Sequence, residues 1–164
     1  MSETELAARL VKLLVARQQT ITTVESCTGG LLAGAITAIS GASAVFETGY
    51  VTYSNAAKNR LVQVPETLLI TYGAVSPQVA ESMAEGALMA AKASIALSVT
   101  GIAGPTGGSA QKPVGMVCFG LSHRMPDKII TLSQTLQFGE IGRDHVRMMS
   151  VRHALQWAIE VLEP

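Results

Sequence analysis

Three short polar segments hold the residues that could do chemistry in this chain. The first, Glu25-Ser26-Cys27-Thr28-Gly29-Gly30, sets a hydroxyl and a thiol ahead of a glycine pair. A β-branched run, Ile21 to Val24, precedes it, and Leu31 to Ile36 follow with small residues between, so it reads as a strand-to-helix junction. Such a junction offers free backbone N–H groups at the positive end of a helix dipole. Two glycines let a ligand approach that backbone closely. The segment can hold a phosphate, or stabilise an oxyanion beside an attacking hydroxyl. The same residues also suit a plain helix cap, with Ser26 or Thr28 accepting N–H bonds.

The second segment runs from Gly49 to Lys58, with Tyr53 at a strand end and Lys58 about one turn into the next helix. A lysine on a short, otherwise apolar stretch loses its charge more easily, because burial disfavours the ammonium. A neutral amine can take a proton from a serine. A solvated surface lysine is the competing reading. The third segment is Thr100 to Gly108, with Lys112-Pro113-Val114-Gly115 behind it. It lacks the G-K-[ST] ending of a Walker loop, and Pro105 breaks the turn that a dinucleotide fingerprint needs. A glycine loop at the carboxyl end of a sheet strand is still where α/β ligands bind; otherwise it is a surface hairpin.

Other chemistries find fewer residues. His123, His145 and His153 stand apart from any Cys pair, and no carboxylate pair lies between the last two, so no metal is expected. The G-x-S-x-G elbow of α/β-hydrolases is absent. Cys27 is the rival nucleophile, since a thiol needs less activation. Strand alternation would turn Ser26 and Cys27 to opposite sides, so only one should face a site. Cys118, within an apolar strand, reads as core.

These segments must be positioned by regular elements. Residues 4–18 form an expected helix with Leu6, Leu10, Leu13 and Leu14 in register and Ser2 with Glu5 as a capping box. Strands are expected over ITTVES, VFETGYVTYS, SIALSVTG, VGMVCFGLSH and KIITLSQTLQF, the last two forming a hairpin through Met125-Pro126-Asp127. Asn55 is the expected N-cap of the short helix carrying Lys58, and Ser76-Pro77 starts a helix to about Lys92. A last helix runs from near Glu140 to about Leu162, with Arg143, Arg147 and Arg152 on its polar face. The order argues for an α/β fold: one three-layer α/β/α domain over residues 1–164 with a mixed β-sheet.

Composition narrows the partners. Lys plus Arg and Asp plus Glu balance at 12 each, leaving no basic footprint for nucleic acid. The longest uncharged stretch, Ser26 to Phe46, is interrupted by Gly29, Gly30, Gly34 and Gly41 and is not a membrane span. The acidic start MSETELAARL lacks a signal peptide's layout, so the expected compartment is the cytoplasm. Aromatics are scarce at 4%, so the core must be aliphatic. A mean hydropathy of +0.35 exceeds what a soluble monomer needs, and a homo-oligomer is expected.

In chain order, ESCTGG, GYVTYSNAAK and VTGIAGPTGG with KPVG resemble the CinA C-terminal domain family, the nicotinamide-nucleotide amidases. The resemblance spans roughly Leu6 to Leu162. It implies an α/β/α domain that hydrolyses nicotinamide mononucleotide to nicotinate mononucleotide and ammonia, without a cofactor, by a serine–lysine pair assisted by a tyrosine. The E-S-x-T-G-G serine matches Ser26, and Y-S-N-x-x-K matches Tyr53, Ser54, Asn55 and Lys58; Cys27 fills the variable position. Some relatives carry a further domain resembling molybdopterin-binding proteins, which 164 residues are too few to include.

On that footing Lys58 deprotonates Ser26 directly or through Tyr53, and N–H groups around Thr28, Gly29 and Gly30 hold the oxyanion. Glu25, Asn55, Thr100, Gly101, Gly104 and Arg143 are expected against the small-molecule nucleotide, the loop and Arg143 gripping ribose and phosphate. For Arg143 a solvated helix face competes. Two other functions fit the same loops: a nucleotide-binding regulatory module without turnover, and an amidase for a different carboxamide.

Overall fold

The computed structural model describes residues 1–163. Helix α1 (Glu3–Arg17) starts on the expected reciprocal cap: Glu5 N–H donates to Ser2 Oγ, and Ser2 N–H donates to the Glu5 carboxylate. Its buried Leu6, Leu10 and Leu14 recur every four residues.

Strands β1 (Ile21–Glu25), β2 (Phe46–Val51), β3 (Ile95–Gly101), β4 (Met116–Arg124) and β5 (Ile129–Gln137) form one sheet in the order β2-β1-β3-β4-β5. β1 runs parallel to β2 and β3, and β4 and β5 are added antiparallel as a hairpin. Central β1 and β3 are buried along nearly their whole length, as strands covered on both faces must be. Edge strand β2 instead alternates half-buried and exposed residues.

One face is covered by α1, α2 (Leu31–Thr37) and α6 (Arg143–Leu162), around Leu10, Ile36, Phe119, Leu155 and Trp157. The other is covered by α5 (Pro77–Ala91), with α3 (Asn55–Val62) and α4 (Glu66–Tyr72) outside it, around Val62, Leu69, Met83 and Leu88. The fold is thus a three-layer α/β/α sandwich with a mixed sheet. The chain leaves β1 through α2 on one face and leaves β2 through α3, α4 and α5 on the other. That reversal puts a crevice at the carboxyl ends of β1 and β3, where open α/β sheets bind ligands.

Local boundaries differ from the sequence expectation where the backbone turns toward this crevice. β2 ends at Val51 rather than Ser54. The Thr52 N–H still donates to the Glu25 carbonyl at 2.8 Å, after which the chain leaves the ladder. Ser54, not Asn55, caps α3: its hydroxyl accepts the Ala57 N–H at 3.0 Å. Ser76 and Pro77 start α5 as expected, with Ser76 Oγ accepting the Val79 N–H.

Helix α3 rests on α5 through Gly86, where an added Cβ would stand 1.8 Å from the Val62 carbonyl oxygen. Gly86→Ala should therefore force the helices apart and lower stability by about 2–3 kcal/mol. Gly34, in α2, has open space around it. Gly34→Ala should raise stability by about 0.5–1 kcal/mol, through helix propensity alone. Urea midpoints of the two variants check both signs.

Candidate active site

Ser26 is the first residue beyond β1. Its N–H donates to the Val99 carbonyl at 2.9 Å, so the serine leaves from the pinned middle of the sheet. Lys58 reaches it from the first turns of α3. Lys58 Nζ lies 3.0 Å from Ser26 Oγ, 2.7 Å from the Thr52 carbonyl oxygen and 3.5 Å from that of Tyr53. The lysine is 1% exposed and heads the largest fully buried side chains. Among the described residues the ion pair found joins Arg9 and Glu163, so no carboxylate holds the charge on Lys58. Burial brings its pKa down to about 8, against a weaker opposing influence of Cys27.

The three contacts also orient the amine. As an ammonium, Lys58 donates to all three oxygens. As a neutral amine it keeps two N–H groups and one lone pair. The two carbonyls can only accept, so they take the N–H groups and leave the lone pair for the Ser26 hydroxyl. That is the arrangement a general base needs.

A cleft of about 230 Å³ gathers most of the expected residues: Ser26, Lys58, Tyr53, Asn55, Thr100, Gly101 and Arg143 line it. Cys27, Ala74, Val75 and Ala103 complete the lining. A larger groove of about 450 Å³ between α3 and α5 has no lysine, histidine or cysteine in its lining.

Several residues have other tasks than the sequence suggested. Glu25 is fully buried, and its carboxylate accepts the Leu32 and Ala33 N–H groups at 2.8 and 3.1 Å. It caps α2 and fixes the Ser26 turn, where a substrate contact was expected. Thr28 is buried, and the Gly29 N–H is already donated to the Ser26 carbonyl at 3.0 Å; neither they nor Gly30 line the cleft. Gly29 and Gly30 have φ of 56° and 102°, which is why the turn needs glycine. Gly104 lies outside the lining and accepts Arg143 Nη1 through its carbonyl at 2.9 Å. The Thr100 hydroxyl donates to the Ala74 carbonyl, holding one wall.

Tyr53 is 63% exposed, and its phenol accepts Arg143 Nη2 at 3.0 Å; its carbonyl, not its hydroxyl, faces Lys58. The serine–lysine contact is direct. Arg143 thus spans the cleft mouth between Tyr53 and the glycine loop. Cys27 borders the cleft together with Ser26, because both lie in the turn, beyond the alternation of β1. Its thiol is buried in the core beneath, and burial pushes its pKa up to about 12, which leaves it protonated at neutral pH.

Arg147, expected only on the polar face of the last helix, meets the Ser26 turn. Its Nε donates to the Cys27 carbonyl at 3.1 Å and its Nη2 to the Thr28 carbonyl at 3.4 Å. The signal was its spacing: four residues after Arg143, it shares that residue's helix face. Among the described residues no group of three His, Cys, Asp or Glu side chains is placed to hold a metal, and no helix is long and apolar enough to cross a membrane.

A buried lysine against a serine, at the carboxyl end of a doubly covered sheet, is the candidate site of this α/β protein. The comparisons with known proteins give the family. The model of the CinA C-terminal domain matches residues 3–162, and the chain belongs to that family. It is 50% identical over 155 residues to the nicotinamide-nucleotide amidohydrolase PncC of Enterobacter agglomerans, covering 94% of this chain and 92% of that protein. It is 46% identical over 153 residues to a CinA-like protein of Geobacter sp. (strain M21), covering 93% of this chain but 36% of that longer one. Among solved structures, the competence/damage inducible protein CihA from Agrobacterium tumefaciens superposes with a TM-score of 0.93 at 44% identity, covering 99% of this chain and 96% of that one.

The buried amine predicts a pH signature in stability. Folded Lys58 loses its proton near 8, whereas in the unfolded chain it holds it to 10.5. Between those values the unfolded state binds the extra proton, so wild-type stability rises with pH. Relative to Lys58→Met, the gain should total about 3 kcal/mol and be complete above the unfolded value. Urea unfolding of both proteins at pH 7, 9 and 11 measures it; parallel stabilities would contradict the shift.

Proposed function

We infer that this protein is an amidohydrolase that converts nicotinamide mononucleotide to nicotinate mononucleotide and ammonia. The observation that carries the reading is the direct contact between Ser26 and a buried lysine that has no carboxylate partner among the described residues and whose pKa burial brings down to about 8. Its similarity over nearly its whole length to a nicotinamide-nucleotide amidohydrolase supports the substrate.

An amide is a weak electrophile with a poor leaving group, so it requires an activated nucleophile, a stabilised oxyanion and a proton for the departing nitrogen. Neutral Lys58 takes the Ser26 proton as Oγ bonds to the carboxamide carbon. The carbonyl π pair moves onto oxygen, and the Cys27 N–H, next in the chain to the nucleophile, is the donor this reading assigns to the developing charge. Collapse breaks the C–N bond, and the Lys58 ammonium returns its proton to the leaving nitrogen, giving ammonia and an acyl-serine. Water then attacks the ester with Lys58 again as base, and the carboxylate leaves as Ser26 regains its proton.

The cleft, at about 230 Å³, is smaller than the roughly 300–1,000 Å³ of sites that enclose a drug-sized ligand. It suits the pyridine carboxamide, with ribose and phosphate extending over the mouth toward Arg143. Asn55 and Gly101 shape the wall between. Arg143 can release Tyr53 to pair bidentately with a phosphate.

Ammonia release from nicotinamide mononucleotide tests the assignment. Ser26→Ala and Lys58→Ala should each lower kcat by about 10³-fold or more, and the double variant should lose little beyond either single one. Cys27→Ala should retain activity. For wild type, kcat/KM should rise with pH and level off above about 8, as Lys58 becomes neutral. Binding of the nucleotide with no ammonia released would instead identify a regulatory module.

A further inference from the structure

Arg147 lies one turn beyond Arg143 on α6, yet its guanidinium meets the nucleophile turn and does not line the cleft. It donates to the Cys27 and Thr28 carbonyls. Gly29 is packed beneath it: a Cβ there would stand 3.4 Å from Arg147 Nη2. No carboxylate draws the guanidinium away, since the ion pair found among the described residues lies between Arg9 and Glu163.

Peptide planes connect this contact to the cleft. A trans peptide points its C=O and N–H in opposite directions, and the cis bond of this chain is Gly104–Pro105. The Thr28 carbonyl, which also accepts the Leu31 N–H at 3.0 Å, shares its peptide with the Gly29 N–H. That N–H donates to the Ser26 carbonyl at 3.0 Å, and the Ser26 carbonyl shares its peptide with the Cys27 N–H. The Cys27 N–H has no backbone acceptor among the described residues and contacts its own residue's thiol, and Cys27 lines the cleft. Hydrogen bonds in series polarise one another, so a cation at one end strengthens the donor at the other.

We propose that Arg147 is a positioning residue for the oxyanion hole, fixing the nucleophile turn through the Cys27 and Thr28 carbonyls and holding the Cys27 N–H as donor to the tetrahedral oxyanion. This rests on the acyl-transfer reading of Ser26. No bond forms or breaks at Arg147. Its effect is electrostatic and geometric, and it is greatest when negative charge develops on the substrate oxygen.

The test compares two ligands. Pyridine-3-boronic acid adds to a serine hydroxyl to give a tetrahedral anion, whereas nicotinate mononucleotide stays planar. Both are titrated calorimetrically into wild type, Arg147→Ala, Arg147→Lys and Ser26→Ala. Deleting an oxyanion donor outright costs about 10²–10³-fold, so the indirect loss in Arg147→Ala should be about tenfold for the boronate. Its nicotinate mononucleotide affinity should stay within about twofold, and kcat for ammonia release should fall with KM nearly unchanged. Arg147→Lys should recover part of the loss, because an ammonium can still reach one carbonyl.

Equal weakening of both ligands, no weakening of either, or boronate binding that Ser26→Ala does not affect would overturn the proposal. If Arg147→Ala does not fold, Arg147→Lys decides on the same comparison. A wild type that captures the boronate through Ser26 but releases no ammonia from nicotinamide mononucleotide would refute the substrate reading and leave the role of Arg147 standing.

Discussion

A lysine side chain folded entirely out of water with no carboxylate beside it is a costly arrangement, and much of the local architecture can be understood from it. Charged, Lys58 forfeits its hydration; neutral, it becomes a base at ordinary pH. Three oxygens receive it, from Ser26, Thr52 and Tyr53, and two of these are backbone carbonyls that cannot compete for its lone pair. The early end of β2 serves this end, since a strand continued to Ser54 would keep the Thr52 carbonyl in the ladder direction. The cap at Ser54 then starts α3 so that Lys58 completes its first turn under the sheet edge. Stability is given up locally to hold an amine against a hydroxyl.

The opposite partner is fixed by equally ordinary forces. β1 is held between two parallel neighbours, and Glu25 binds the first N–H groups of α2. A buried carboxylate on a helix N-terminus is favoured by the dipole as well as by its hydrogen bonds. The turn between strand and helix is thereby clamped at both ends, with Arg147 closing it from α6. Ser26, Lys58 and the two arginines come from the end of β1, from α3 and from α6, and the sheet brings them together.

How much of this was legible beforehand depends on the range of the forces involved. The layers and the closing hairpin follow from patterning: the largely apolar runs of β3 and β4, the Leu series of α1, the Ser76-Pro77 start of α5. Ser26 and Lys58 were legible as a candidate pair from the family motifs they fit, and the fold brings them into contact. Glu25 was misplaced because a carboxylate next to a nucleophile resembles a substrate contact, whereas its partners, seven and eight residues on, become apparent only when the helix folds back. Thr28, Gly29 and Gly30 were assigned the oxyanion for a similar reason; composition does not reveal that the Gly29 N–H is engaged within the turn. Arg147 acts over a sequence separation of 120 residues, and no local pattern encodes that contact.

The protonation of one nitrogen decides the account. Nitrogen-15 NMR of the folded protein, labelled at lysine Nζ, follows Lys58 directly through a pH titration. The account predicts a midpoint near 8, well below the other lysines, and a midpoint that moves when Ser26 is replaced by alanine. A Lys58 resonance that remains an ammonium to beyond pH 10 and ignores the substitution would contradict it.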